Sequence, residues 1–166
     1  MVDIRPIEPA DHAAVERTQL EMWGSPICVA HGEVFRPADL PGFLAEDAGK
    51  IVGMLTYQQQ DPTTIEVVTL DAVWRHAGIG TALLDATAKV ATSAGATRLV
   101  LTTTNDNVDA LRFYQRRGFR LIALRPGELH HSRKLKPEIP PTGNYGIPLT
   151  DELELERPVE PTTFDE

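Results

Sequence analysis

A strand–glycine turn–helix–strand pattern in the middle of the chain constrains its fold most. A β-branched run at residues 64–73 is followed by a turn that contains Gly78 and Gly80. A helical apolar repeat at residues 79–91 ends at Gly95, and a short apolar run follows at residues 98–103. A strand, a crossover helix and a second strand in this order predict a βαβ unit. The sequence therefore predicts a mixed α/β fold.

Weaker patterns on both sides of this unit predict the other elements. Upstream we expect a strand at residues 2–5 and a helix at 11–23, which begins at Asp11 and stops at Gly24. A mixed loop with one short helical turn follows at 25–42, and then a hairpin of residues 43–46 and 51–58 around an Asp/Gly turn. Downstream we expect an Asn/Asp capping cluster, a helix, a strand, a long loop and a half-buried strand, at residues 105–107, 108–117, 119–124, 125–148 and 150–156.

Length and composition fit one globular domain. The chain has 166 residues, of which 42% are hydrophobic and 24% are charged, and no apolar run approaches the roughly 18–20 residues of a membrane span. The single cysteine, Cys28, excludes an internal disulfide and a cysteine-based zinc cluster. We expect a single domain over residues 1–157, a short acidic tail over 158–166, a cytoplasmic location, and no metal or membrane partner.

The net charge of −8 is unevenly distributed. Residues 137–166 hold eight of the 24 carboxylates and one of the 16 Lys and Arg residues, so the body of the chain is near neutral. Because no long basic stripe exists, a nucleic-acid partner is not expected. The acidic end would favour a cationic acceptor through its field, and a solvated tail explains it equally well.

The glycine turn before the central helix has the chemistry of an anion site. The first N–H groups of a helix have no internal acceptor and lie at the positive end of its dipole, so they bind phosphates. A dinucleotide fingerprint would need a third glycine where Leu83 stands, and the lysine-containing phosphate loop is absent. A glycine turn that only eases the change from strand to helix remains an alternative.

Two linked motifs resemble the GNAT superfamily of N-acetyltransferases. The first is R-x-x-G-x-G with an aliphatic residue five positions before the arginine, matched by Leu70, Arg75, Gly78 and Gly80. The second, N-x-x-A-x-x-x-Y-x-x-x-G-F, is matched from Asn107 through Tyr114 to Phe119, at the distance the family shows. Two departures are Ala72, where the family often has proline, and His76, where it often has glycine.

This resemblance implies the GNAT acyl-CoA N-acyltransferase fold, with a central, mostly antiparallel mixed sheet and flanking helices. The fourth and fifth predicted strands, residues 64–73 and 98–103, would be parallel and splayed, with the pantetheine of acetyl-CoA between them. The acetyl carbonyl would meet a backbone N–H near Leu70, and the pyrophosphate would meet the N–H groups of residues 76–81. The implied cofactor-binding residues are Leu70, Ala72, Arg75, His76, Ala77, Gly78, Ile79, Gly80, Thr81, Asn107 and Tyr114.

The resemblance also assigns catalytic roles. Tyr114 would give a proton to the departing thiolate, with a purely structural aromatic residue as the alternative. Glu66 has the strand parity of Leu70 and would act as the base, directly or through water, unless a bulge breaks that parity. The implied activity is transfer of the acetyl group of acetyl-CoA to a primary amine of a small molecule by direct attack. The alternatives are a peptide or protein acceptor, or a non-catalytic acyl-CoA sensor, and a homodimer is possible.

The predicted loop over residues 125–148 is long for a compact domain. Its prolines restrict the backbone, which suits a preformed wall better than a mobile lid. We expect this loop to close the acceptor pocket and to set substrate choice. A surface insertion packed for stability is the alternative.

Overall fold

The computed structural model describes residues 1–73 and 78–160. In chain order the elements of these ranges are β1 (Asp3–Pro6), α1 (His12–Trp23), β2 (Cys28–Ala30), β3 (Glu33–Phe35), β4 (Gly42–Asp47), β5 (Lys50–Asp61), β6 (Thr64–Ala72), α2 (Ile79–Ser93), β7 (Arg98–Thr104), α3 (Val108–Gln115), β8 (Arg120–Arg125), α4 (Glu128–Leu135) and β9 (Glu152–Pro158). The chain divides into two compact units. The first is Met1–Pro26, Arg36–Leu99 and Pro158–Glu166, and the second is Ile27–Phe35 and Val100–Arg157.

In the first unit, strands pair in the order β1-β4-β5-β6, and each of these pairs is antiparallel. Helix α1 covers one face of these strands, where Val15 packs with Leu44 and Met54 in a fully buried cluster. The residue before Met54 is Gly53, which belongs to the opposite face because strand residues alternate. The side chain of Ile79, at the start of α2, lies against Gly53. The two helices therefore cover opposite faces of the strands in this unit.

In the second unit, the strand order is β7-β9-β8, with β8 antiparallel to β9. Strands β2 and β3 form a separate antiparallel hairpin. The Arg125 side chain, at the end of β8, donates to Thr102 Oγ1 on β7 at 3.0 Å and forms an ion pair with Glu152 on β9. The Lys136 ammonium, just after α4, donates to the Ile27 carbonyl oxygen at 3.1 Å and so fastens the helix to the start of the hairpin.

Most of the predicted elements are confirmed, with their ends shifted by up to three residues. Gly24 ends α1 with a φ of 70°, in the left-handed region that favours glycine. In the hairpin turn between β4 and β5, Ala48 and Gly49 both have positive φ. The mixed α/β fold class is also confirmed.

The prediction that residues 125–148 form a loop without regular structure is wrong, because α4 occupies Glu128–Leu135. The helix begins after Gly127, which has a φ of 71°, and it buries Leu129 and Ser132, three residues apart. Glu128 in its first turn and basic residues in its last turn suit the helix dipole. The sequence did not predict this helix because the prolines and glycines on both sides of it are typical of a loop.

Two more segments differ from expectation. The predicted mixed loop at 25–42 contains the β2–β3 hairpin, which the sequence did not predict, whereas the short helical turn expected there is present as a 3-10 turn at Pro37–Asp39. Strand β9 continues to Pro158, and the buried Val159 donates its N–H to the Thr97 carbonyl oxygen at 2.9 Å, so the predicted tail begins within ordered structure. The division into one domain and a tail stays a prediction. Within the described ranges, no helix is both long and apolar enough to cross a membrane.

Candidate active site

The start of α2 has the geometry of an anion-binding helix end. Gly78 is the N-cap residue, with a φ of 71° and a ψ of 14°. Its chain neighbours apart, no heavy atom of the described residues lies within 4 Å of the place where a Cβ would stand. The first bond of the helix runs from the Ala82 N–H to the Gly78 carbonyl oxygen at 3.0 Å, so the N–H groups of Ile79, Gly80 and Thr81 precede it. No acidic residue lies in the first turn. This end of α2 is therefore suited to a phosphate.

The close approach of α2 to β5 fixes that helix end. A Cβ added to Gly53 would stand 2.6 Å from Ile79 Cγ2 and 3.2 Å from Leu83 Cδ1, so this strand position accommodates only glycine without a shift. Ile79 and Leu83 are fully buried one turn apart on α2. The predicted site residues Arg75, His76 and Ala77 lie outside the residues that the structure describes.

A β-bulge in β6 changes the predicted orientation of Glu66. Thr69 pairs with Thr56 of β5, but the next β5 residue pairs with Val67, so Val68 is the extra residue. Glu66 pairs with Gln58, which puts it on the face of Thr69, whereas Leu70 is on the other face. The expected parity between Glu66 and Leu70 is therefore wrong, for the reason foreseen.

This face of β6 carries a row of buried polar side chains. The hydroxyls of Thr56 and Thr69 hydrogen-bond each other at 2.6 Å. Glu66 is 3% exposed and accepts a long bond of 3.5 Å from Gln60 Nε2. Asp71 continues the row at the end nearest α2. The predicted cofactor residues Leu70 and Ala72 are half-buried on the opposite face.

Asp71 is a buried carboxylate that the sequence prediction missed. Both of its oxygens accept from the Trp23 indole Nε1–H, at 2.9 Å each. Burial raises the pKa of the Asp71 carboxyl to about 6, and the bond from Trp23 opposes this rise. The signal in the sequence was a charged residue near the end of a β-branched run, but its partner stands 48 residues earlier.

In the second unit, Asn107 and Tyr114 belong to α3. Asn107 is the N-cap residue, and its Oδ1 accepts from the Ala110 N–H at 3.3 Å, which confirms the predicted capping role. Tyr114 is 9% exposed and makes edge-to-face contacts with Phe113 and Phe119, with ring centroids 5.3 and 5.4 Å away. The aromatic packing fixes the ring and leaves its hydroxyl role as a prediction.

The segment after α4 is fastened to the start of α3. Asn105 Oδ1 accepts from the N–H groups of Thr150 and Asp151, at 3.1 and 3.0 Å. Exposed Tyr145 adopts a φ of 59° and donates its hydroxyl to Asp109 Oδ2 at 2.7 Å. These bonds fasten the segment to the start of α3, and its role as a wall of the acceptor pocket stays a prediction.

Comparison with known proteins identifies the family. The family model described as "Acetyltransferase (GNAT) family" matches residues 6–119, and the chain belongs to this family. It is 41% identical to the uncharacterized protein YdhI of Bacillus subtilis over 132 residues, which cover 79% of this chain and 82% of YdhI. Membership in the family implies acyltransferase activity.

Solved GNAT structures share the fold. An acetyltransferase of Elizabethkingia anophelis, solved with acetyl-CoA bound, is 20% identical, with a TM-score of 0.68 and coverage of 95% of this chain and 98% of that chain. An IAA acetyltransferase from Bacillus cereus is 19% identical, with a TM-score of 0.70 and coverage of 96% and 100%. Both comparisons support the GNAT fold.

Proposed function

We propose that the protein transfers the acetyl group of acetyl-CoA to a primary amine of a small-molecule acceptor. The observation that carries this proposal is the glycine-capped start of α2 in a chain of the GNAT family. Left-handed Gly78, the open space beside it and the absence of acid in the first turn fit a pyrophosphate. The Elizabethkingia anophelis relative, which was solved with acetyl-CoA bound, supports the same cosubstrate here.

The residues proposed to bind acetyl-CoA form groups, each of which would contact a different part of the cofactor. Gly78, Ile79, Gly80 and Thr81 would bind the pyrophosphate through backbone N–H groups, and Arg75, His76 and Ala77 would extend that turn. Leu70 would offer its backbone N–H to the acetyl carbonyl, next to Ala72. Asn107 and Tyr114 would contact the cofactor from α3. A metal is not required for any of these contacts.

The proposed reaction is a direct attack. The amine nitrogen forms a bond to the acetyl carbon, the bond from that carbon to sulfur breaks, and the sulfur leaves as a thiolate. Tyr114 gives its hydroxyl proton to the thiolate, and the N–H of Leu70 stabilises the oxyanion. Glu66, directly or through a water molecule, takes the proton that the amine loses.

Binding of acetyl-CoA tests this proposal without knowledge of the acceptor. Gly80→Asp places a side chain and a negative charge where the pyrophosphate would lie. We expect calorimetry to show at least a tenfold loss of acetyl-CoA affinity, about 1.4 kcal/mol. Lys89→Gln, on the exposed side of the same helix, also lowers the net charge by one and should bind normally. Unchanged affinity in folded Gly80→Asp would refute the phosphate site.

Turnover tests the transfer itself. Thiol release from acetyl-CoA is followed with polyamines, amino acids, aminoglycosides and peptides as competing acceptors. Release with small amines supports the proposed acceptor class, and release with peptides alone would assign a peptide acceptor instead. Binding of acetyl-CoA without release on the whole panel would indicate a sensor.

A further inference from the structure

Helix α1 buries one polar side chain although it has apolar side chains next to it in the sequence that stay exposed. Gln19 is 1% exposed, whereas Leu20 and Met22 of the same helix lie exposed. Within the described residues, Gln19 Oε1 is buried without a hydrogen-bond partner. A buried acceptor that lacks a donor destabilises the fold, so this oxygen can gain from a donor that a ligand supplies.

The Asp71 carboxylate is a second buried acceptor with capacity to spare. It is 8% exposed, and its two oxygens share one donor, the indole N–H of Trp23. An ionised carboxylate accepts about four hydrogen bonds. Among the described residues, no cation forms an ion pair with Asp71, and Trp23 is its hydrogen-bond donor.

Helix and strand geometry places these two acceptors on the same face of the strands. Val15, Gln19 and Trp23 follow one another at intervals of four residues, so they share one face of α1. Val15 packs on Met54, and Met54 is the cross-strand partner of Asp71. Gln19 therefore lies on α1 midway between Val15, which packs on Met54, and Trp23, which hydrogen-bonds to Asp71. It is about 6 Å along the helix axis from each of them.

A cationic amine has the donors and the charge that these two side chains lack. An ammonium group has three N–H donors and no acceptor, and its charge is complementary to an ionised carboxylate. Trp23 is 52% exposed although its Nε1–H meets the buried carboxylate, so the indole reaches from solvent to Asp71. The exposed apolar side chains of Leu20, Met22 and Trp23 surround this end of α1.

We propose that Asp71 and Gln19, under the indole of Trp23, bind the ammonium group of the acceptor, which carries it on an apolar body. This inference rests on the proposed function and names the substrate class of that function. The Asp71 carboxyl, with its pKa raised to about 6 by burial, is ionised at neutral pH and gains a counter-ion when the amine binds. Asp71 and Gln19 are thus specificity-determining residues. Before attack the bound ammonium gives one proton to Glu66, directly or through a water molecule, and the neutral amine attacks the acetyl carbon. The second proton that the nitrogen loses restores the Tyr114 hydroxyl, whose own proton goes to the thiolate.

The indole N–H resonance of Trp23 reports directly on this site. The chain has two tryptophans, so a ¹⁵N-labelled sample shows two indole signals, and Trp23→Phe identifies one of them. The full chain is titrated at pH 7.5 with phenethylamine and with 2-phenylethanol, which has a hydroxyl in place of the amine. We expect a saturable shift of the Trp23 signal with the amine and none with the alcohol.

Two substitutions then test whether the carboxylate of Asp71 and Oε1 of Gln19 bind the amine. Asp71→Asn keeps an acceptor for Trp23 but removes the charge, and we expect amine affinity to fall at least tenfold. Gln19→Leu removes the orphaned oxygen and should weaken amine binding without loss of melting temperature. Asp61→Asn, the same change at an exposed carboxylate, is the matched control and should bind normally.

The proposal is overturned if phenethylamine leaves the Trp23 signal unmoved, or if folded Asp71→Asn binds it as the wild type does. In turnover assays, Asp71→Asn should raise the KM for the amine and leave acetyl-CoA affinity unchanged. If no amine releases thiol from acetyl-CoA, the proposed function fails, and the Trp23 titration still decides the amine site. If thiol is released and Asp71→Asn keeps its KM, only this inference fails.

Discussion

The substitution Asp71→Asn should make the protein more stable at neutral pH. Burial raises the folded-state pKa of this carboxyl from 3.8 to about 6, so the folded chain resists ionising it. The sign follows from proton linkage: below pH 3.8 both states are protonated, and between 3.8 and 6 the unfolded chain loses the proton first. Ionisation of Asp71 therefore lowers stability as pH rises, and asparagine cannot ionise.

The size of this effect follows from the same values. A change of about two pKa units corresponds to about 3 kcal/mol, as an upper bound for one buried group. The advantage of Asp71→Asn should grow between about pH 4 and 6 and stay constant above about pH 7. Asparagine retains an oxygen for the Trp23 N–H, so packing should be preserved.

Urea unfolding of both proteins from pH 4.5 to 8 measures this difference. The matched control is Asp61→Asn, because bonds from Thr63 lower the pKa of Asp61. Its carboxylate stabilises the fold above the unfolded pKa, so the control should show the opposite sign. A difference between wild type and Asp71→Asn that does not vary with pH would refute the burial argument.

Three further changes test other parts of the account. Tyr114→Phe keeps the ring contacts and deletes the hydroxyl, so kcat should fall about 10²–10⁴-fold with acetyl-CoA affinity nearly unchanged; wild-type kcat would exclude Tyr114 as the acid. Gly53→Ala should destabilise the fold by about 1–3 kcal/mol in urea unfolding, because its Cβ meets Ile79; unchanged stability would contradict that close contact. Replacing residues 138–146 by a Gly/Ser linker should lower kcat/KM for the acceptor while acetyl-CoA affinity stays within about threefold, and equal loss for both would assign the segment to structure.

The central block was predictable because its signals are local. Strand β6 is β-branched, Gly78 needs a left-handed φ, and α2 has a regular apolar repeat, so each element is encoded within its own residues. The two motifs also predicted membership in the GNAT family, which the comparison with the family model confirms.

Features that depend on distant partners were not predictable. The bulge at Val68 appears only in the pairing of β6 with β5, and it reverses the face expected for Glu66. Asp71 and Trp23 meet across 48 residues, and nothing near either residue predicts the bond. Helix α4 has few apolar residues, and its stability depends on burial of Leu129 within the second unit.

The central claim is that the protein is an N-acetyltransferase, and the stoichiometry of its two products tests this claim most directly. Purified protein is incubated with acetyl-CoA and the best amine of the panel, and the released thiol and the N-acetylated amine are quantified together by thiol reagent and mass spectrometry. We predict equal amounts of both products, with rates that fall in parallel for Tyr114→Phe. Thiol release without N-acetylated amine, or no release with any amine, would contradict the assignment of an N-acetyltransferase.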